Sequence, residues 1–423
     1  MLRTLAGLNT WLHTHKDQIR CLSVFSGQWF PDGSTLIAAN PIWQVSDAAE
    51  LVDLIGAEGK LASNDQPVIG IAGYRSADYL NLRLPSPDTS NAFFHAGQYR
   101  DTARFELSGR LITLHTQSSV FSQFIDKLTG LSHSTDTDSN STDFHCTPFI
   151  PSWTYPAYEA AFQRIQHYIA EGDCYQVNLA QRFTALFEGN SLAAFARLTH
   201  TIRPPYSAYI DCPQGKVISC SPEHFLTVRN HEIITRPIKG TRPRHVNPCK
   251  DNALKQDLMD SAKDRAENLM IVDLMRNDLG RLSKAGSVRV TDLFKVESFQ
   301  NVHHLVSTIQ ADLLADIHPL VAHLRCMPGG SITGAPKRRS MQIIEELEIG
   351  DRGPYCGSAF YFDGSTLLSN ILIRTLLLKD GLAEIWGGGG IVSDSDCVSE
   401  YNESLIKINH MIKALGCPTL PIR

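Results

Sequence analysis

No run of 18 consecutive apolar residues occurs anywhere in these 423 residues, so a membrane-spanning helix is not expected. The opening stretch MLRTLAGLNTWLHTHKDQIR breaks its apolar character too early for a secretory core, which leaves the cytosol as the expected compartment. Basic runs are also missing, and the formal net charge is -5; the electrostatic footprint of a nucleic-acid binder is absent. The ten cysteines form neither CxxC pairs nor a regular framework, a usage that fits reduced thiols better than disulfides or a zinc site. None sits in the G-x-C-x-G turn of a nucleophile elbow.

What is present is enough apolar material, 43 % of residues, for a sizeable core in one large two-part domain or two domains. Residues 132–143, SHSTDTDSNSTD, contain no apolar side chain and are expected to form a mobile loop or linker. The expected division is a strand-rich part over 1–131, a linker over 132–150 and a catalytic part over 151–423. Asp32-Gly33 and Ser108-Gly109 mark hairpins in the first part. In the second, Tyr158, Ala161, Phe162, Ile165, Tyr168 and Ile169 share one stripe of a helix ended by Gly172. Hairpin turns are expected at Asp363-Gly364 and Asp380-Gly381, and helices around 252–280, 337–348 and 397–414. Adjacent strands joined by tight turns favour an α+β architecture with antiparallel sheets over a parallel doubly wound one.

Several constellations could carry chemistry. On a single helix over 252–280, Asp260, Asp264 and Glu267 would share one face, and Glu400 and Glu403 pair on another helix. Two acidic faces without thiols or a histidine pair suit a hard cation such as magnesium; ordinary solvated faces are the alternative. The glycine-rich segment PGGSITGAPK, with Pro336 at the first helical position, suggests an anion site or an ordinary capped loop. Read as one strand, SNILIRTLLLK places Arg374 among apolar neighbours, where it needs an anionic partner from ligand or protein. Gly387 to Gly390 would let a ligand approach the backbone or form a flexible turn. Lys239, beside Gly240, could act as a nucleophile if held buried and neutral, although an isolated lysine is usually a surface charge. Of His303 and His304, one must face inward, which equally describes a core histidine.

The strings YQVNLAQRF, SPEHFL, RPIKGTRPR, ENLMIVDLMRNDLGR, PGGSITGAPK, GGGIVSDSD and EYNESLIK, in that order over residues 155–410, together resemble the chorismate-utilising enzymes, the family of anthranilate, aminodeoxychorismate, isochorismate and salicylate synthases. The resemblance implies an anthranilate synthase component I-like fold, antiparallel sheets packed as a sandwich with helices outside. Within the family, PIKGT marks the aminodeoxychorismate synthases and PIAGT the anthranilate synthases; this chain has Lys239. Gln176 stands where isochorismate and salicylate synthases place a water-activating lysine. Both positions imply amination of chorismate to 4-amino-4-deoxychorismate, on the route to 4-aminobenzoate and folate.

By the same resemblance Lys239 attacks chorismate and displaces its 4-hydroxyl, Glu223 is the general acid/base, and His304 lies near the leaving hydroxyl. Glu267 and Glu403 hold Mg2+, with Asp264 and Glu400 behind them. Gly240, Thr241, Ser331, Tyr355, Arg374, Gly388, Gly389, Gly390 and Lys407 anchor the substrate. Ser26, Pro205, Tyr206 and Ser207 correspond to a tryptophan pocket found in some members, with the rest of that signature absent. No glutaminase elbow is present, so ammonia is expected from a separate glutamine amidotransferase subunit or from solution. Anthranilate synthase component I and a non-catalytic chorismate-binding scaffold are the rival readings.

Overall fold

Runs of buried residues such as 68–72 and 358–362 form central strands of the computed structural model, which describes residues 2–58, 61–63, 65–76, 92–131, 143–299 and 302–423. Helices α1 (Leu2–Gly7) and α2 (Asn9–Thr14) precede β1 (Ser23–Gly27), β2 (Thr35–Val45), α3 (Ala48–Glu58), β3 (Val68–Ala72), β4 (Phe94–Phe105), β5 (Leu111–His115) and α4 (Ser119–Leu131). Most of the expected linker, residues 132–142, lies outside the described residues. Then come β6 (Phe144–Cys146), β7 (Ile150–Pro151), α5 (Tyr155–Ala170), β8 (Gln176–Gly189), α6 (Ser191–Ile202), β9 (Tyr206–Cys212), β10 (Gly215–Ser221), β11 (His224–Arg229), β12 (Glu232–Thr235) and β13 (Ile238–Pro243). The remainder holds α7 (Pro248–Asp260), α8 (Ala262–Gly280), β14 (Arg289–Ser298), β15 (Val302–Asp312), α9 (Pro319–Cys326), β16 (Gly334–Ala335) and α10 (Lys337–Leu347). It ends with β17 (Ser358–Phe362), β18 (Thr366–Asn370), β19 (Thr375–Lys379), β20 (Leu382–Ile391) and α11 (Cys397–Ala414).

The strands run antiparallel in two layers. One is ordered β8–β20–β19–β10–β9–β1–β2, the other β4–β3–β17–β18–β11–β12–β15, with β13 and β14 both on β15. The long strands β2 and β4 pair with each other along most of their length and join the layers. Strands from the first 131 residues therefore hydrogen-bond directly with strands of the later part in both layers, at β1–β9 and β3–β17. One hydrophobic cluster runs through both, from Val24, Ile37 and Ile71 to Ile218, Phe225 and Leu376. Fully buried rings such as Phe25, Phe94 and Phe360 each contribute roughly 2–3 kcal/mol of burial. Helices α5, α6, α10 and α11 pack beside the β8–β20–β10 region, and α7, α8 and α9 beside β13–β15 and β18. This is the expected α+β architecture.

Four local readings need correction. The helix expected over 252–280 is two helices: Ser261 turns extended (φ -63°, ψ 106°) and its hydroxyl accepts from the Asp264 amide, so an N-cap starts α8 afresh. Asp260 consequently ends α7, exposed and bonded to Gln256, away from the acidic face. The strand expected through SNILIRTLLLK breaks at residues 371–374, where the chain crosses from β18 in one layer to β19 in the other; Arg374 takes φ +50° there. Pro336 caps α10 without entering it. Gly387 to Gly390 are not a turn but the inner half of β20, paired with β8.

Candidate active site

The ladder between β13 and β15 carries an extra residue, because Ile238 pairs with Val306 and Thr241 with His304. Bulges of this kind re-aim side chains, and this one contains Lys239 and Gly240. Gly240 adopts φ +80°, and a Cβ there would meet Asp264 Cγ at 2.9 Å, so glycine permits both the turn and the close approach of α8. Lys239 sits within electrostatic reach of Glu223, Glu267 and Glu403 and favours the charged form of each. Four side chains from β13, the β10–β11 turn, α8 and α11 thus surround one locus.

Glu223 is buried, and burial raises its pKa against the opposing pull of Lys239, Ser331, Lys407 and Arg374. The Ser331 hydroxyl donates to its Oε1 at 2.9 Å. A carboxyl with a raised pKa and a single hydroxyl donor is suited to giving and taking a proton. Arg374 lies close by, its own pKa lowered by burial and partly restored by Cys220 and Glu223. Among the described residues no carboxylate comes within ion-pair distance of its guanidinium. A half-buried cation on the cavity wall without an ion-pair partner among the described residues is suited to binding an anionic ligand. His304 Nδ1 lies 2.9 Å from the Thr241 hydroxyl, and burial with nearby Arg374 lowers its pKa to about 4, so the ring is neutral at pH 7. Its neighbour His303 is the inward-facing one, fixed between Asp251 and Ser298.

The acidic side of the locus depends on the glycines of β20. A Cβ on Gly387 would fall 2.5 Å from the Ser404 carbonyl, so any other residue there would push α11 off the sheet, and one on Gly389 would fall 3.0 Å from Glu400 Oε2 and displace that carboxylate. Pressed close, α11 lets Lys407 donate to the Gly388 carbonyl at 3.0 Å and pair with Glu403 at 2.7 Å. Burial raises Glu267, with Asp264 and Glu403 adding to the shift. Burial also raises Glu400, which accepts from Ser395 at 2.7 Å. Glu403 is the exception: burial would raise it, but Lys407, Lys239 and Lys263 together hold it below the usual value. Asp264 is occupied by Arg242 at 3.1 Å. Among the described residues no three His, Cys, Asp or Glu side chains form a ready metal shell. The donor set fits a hard cation that takes few protein oxygens and completes its shell from ligand and water.

A cavity of about 850 Å³ is lined by Thr241, His304 and Arg374 on one side and by Ser26, Pro205 and Ser207 on the other. The latter set comes together because β1 pairs with β9, Ser26 opposite Ser207 and Gly27 opposite Tyr206. Tyr206 packs edge-on against Trp29 and is not on the cavity wall. Lys239, Ser331, Lys407 and the glutamates are not on that wall either, and Tyr355 is buried against Trp386, rings parallel at 6.0 Å. Sequence reasoning missed Lys263, whose charge acts on Glu267, Glu400 and Glu403; its place four residues before Glu267 on the same helix was the available signal. Ser395 and Arg352 gave no such signal.

Residues 22–413 match the family described as chorismate binding enzyme. The chain is 52 % identical over 260 residues to aminodeoxychorismate synthase component 1 of Klebsiella aerogenes, covering 61 % of this chain and 57 % of that protein. It is 50 % identical over 264 residues to the protein of the same name from Escherichia coli K12, covering 62 % and 58 %. Each match spans less than two thirds of the relative's length. Among solved structures, anthranilate synthase component I from Streptococcus pneumoniae superposes with a TM-score of 0.75 at 27 % identity, over 89 % of this chain and 92 % of that one.

Proposed function

The chain belongs to the chorismate binding enzymes, and from that membership we propose that it replaces the 4-hydroxyl of chorismate with an amino group. The product is 4-amino-4-deoxychorismate, and the enzyme class is that of an aminodeoxychorismate synthase, an amino-transferring activity on the route to 4-aminobenzoate and folate. The observation that carries this reading is the Lys239 bulge, which sets one amine among Glu223, Glu267 and Glu403. Deprotonated, Lys239 forms a C–N bond to the substrate as the C–O bond breaks, and the hydroxyl leaves as water with a proton from Glu223. Ammonia then forms the product's C–N bond as the bond to lysine breaks, returning the amine. Splitting one displacement into two in this way is the advantage of covalent catalysis.

Arg374 binds one substrate carboxylate through its planar fork, supplying the ion-pair partner that the described residues do not. Thr241 and neutral His304 orient the hydroxyl end. Glu267 and Glu403 would hold magnesium, with Asp264 and Glu400 behind them, and the bound ion would neutralise carboxylate charge. Ammonia comes from a glutamine amidotransferase partner or from solution.

Incubation with chorismate, magnesium and ammonium, followed by mass spectrometry, tests the reading. We expect 4-amino-4-deoxychorismate. Anthranilate as the main product would reject it in favour of an anthranilate synthase, and tight binding without turnover, with amidotransferase added, would favour a scaffold.

A further inference from the structure

Arg352 follows α10 and is 3 % exposed. Its Nε and Nη2 grip Glu348 at 2.8 and 2.6 Å, a bidentate pair that compensates the buried charges. The remaining donors are aimed elsewhere. Nη1 reaches the Ile332 carbonyl at 3.2 Å and Nη2 the Asn178 carbonyl at 2.8 Å, while Glu348 Oε1 also accepts the Ala180 amide at 2.8 Å. The guanidinium lies 4.6 Å from the Tyr74 ring centroid and 5.8 Å from that of Tyr355. One ion pair therefore ties the glycine-rich loop to β8 and supports Tyr355.

Ile332 is the residue after Ser331, and Ser331 is the side-chain donor to Glu223. We propose that Arg352 is a positioning residue for chemistry at Glu223: by holding the Ile332 carbonyl against β8 it fixes the loop so that the Ser331 hydroxyl meets the carboxylate. The inference rests on the assignment of Glu223 as the proton-transfer group. A lysine at this position keeps the charge beside Glu348 but lacks the fork that reaches a carboxylate and two separate carbonyls at once. Losing the Ser331 bond removes a contact that favours the ionised carboxyl, so the Glu223 pKa moves up.

The test measures kcat and kcat/KM against pH for whichever chorismate-consuming reaction the wild type performs, so product identity is settled before any variant is compared. Glu223→Gln identifies the limb that belongs to Glu223. For Arg352→Lys we expect that limb to move to higher pH and kcat to fall at least 10-fold, with a smaller change in the chorismate KM because Arg374 is untouched. The pair Arg352→Met with Glu348→Gln removes both charges together; we expect it to recover thermal stability relative to Arg352→Met alone while its pH limb stays displaced. A wild-type limb and kcat in Arg352→Lys, or their full restoration in the double variant, would overturn the proposal and leave Arg352 a fold-stabilising ion pair only.

Discussion

Replacing Arg374 with methionine separates binding from stability, because the two should move in opposite directions. The guanidinium is largely enclosed, its pKa is lowered by burial, and no described carboxylate pairs with it. Truncating one partner of a buried, hydrogen-bonded charge pair costs about 2–5 kcal/mol, which is about 30-fold to 4,000-fold in affinity. Chorismate affinity, measured by isothermal titration with magnesium present, should fall within that range. Lysine at the same position should recover only part of it, lacking the bidentate geometry. Unfolding free energy should not fall in parallel. Methionine removes a desolvation cost that Glu223 offsets only in part, and the φ of +50° at this position strains both residues alike. Urea unfolding without ligand should therefore show the Arg374→Met protein within about 1 kcal/mol of wild type, or above it. A loss of more than about 2 kcal/mol, or an affinity change under about 3-fold, would show that the guanidinium serves the fold and not the substrate.

Lys239→Ala should abolish covalent trapping of substrate, seen as loss of the adduct in intact-protein mass spectrometry, and slow amination; an unchanged rate with no adduct in wild type removes its nucleophilic role. His323 is fully buried with its pKa lowered by burial to about 3, so as pH falls below the ordinary histidine value the unfolded chain takes a proton that the folded one refuses. Stability is lost over that window, and His323→Gln should flatten the slope of unfolding free energy between pH 6 and 4 by about one proton, ~1.4 kcal/mol per pH unit. An identical slope would place the acid sensitivity elsewhere.

What the sequence revealed divides along physical lines. The β17–β18 hairpin was legible because Asp363-Gly364 supplies its turn, Gly364 at φ +90°, and the stripe on α5 was legible because Tyr158, Ala161, Phe162, Ile165 and Tyr168 all face one core. These are local matters. Ser261 was misread because a helical period continues through it while its hydroxyl recruits the next amide. The four glycines of β20 were read as turn or ligand contact because their use is tertiary: Gly387 and Gly389 admit α11 while Gly388 and Gly390 lie against β8, which no periodicity reports. The pairing of β3 with β17 was equally hidden, since its register is set across more than 280 residues. Of the site, the residue types and motifs were visible and the bulge that turns Lys239 was not.

The charges around the locus imply coupled binding. Glu223, Glu267, Glu400 and Glu403 stand among Lys239, Lys263, Lys407 and Arg374, so with every group ionised the set is close to neutral before any ligand arrives. A dicarboxylate alone would leave two uncompensated negative charges in a partly buried space, and a divalent cation alone two positive ones. Each ligand should therefore bind more tightly with the other present, and by the same factor, because coupling free energy is reciprocal. Typical couplings of about 1–3 kcal/mol correspond to roughly 5- to 150-fold. Four titrations decide the matter: chorismate with and without magnesium, and magnesium with and without chorismate, at one ionic strength. Glu403→Gln should reduce the coupling more than it changes the affinity for chorismate alone. A chorismate affinity unmoved by magnesium and a magnesium affinity unmoved by chorismate would mean that the acidic helices do not hold the ion beside the substrate.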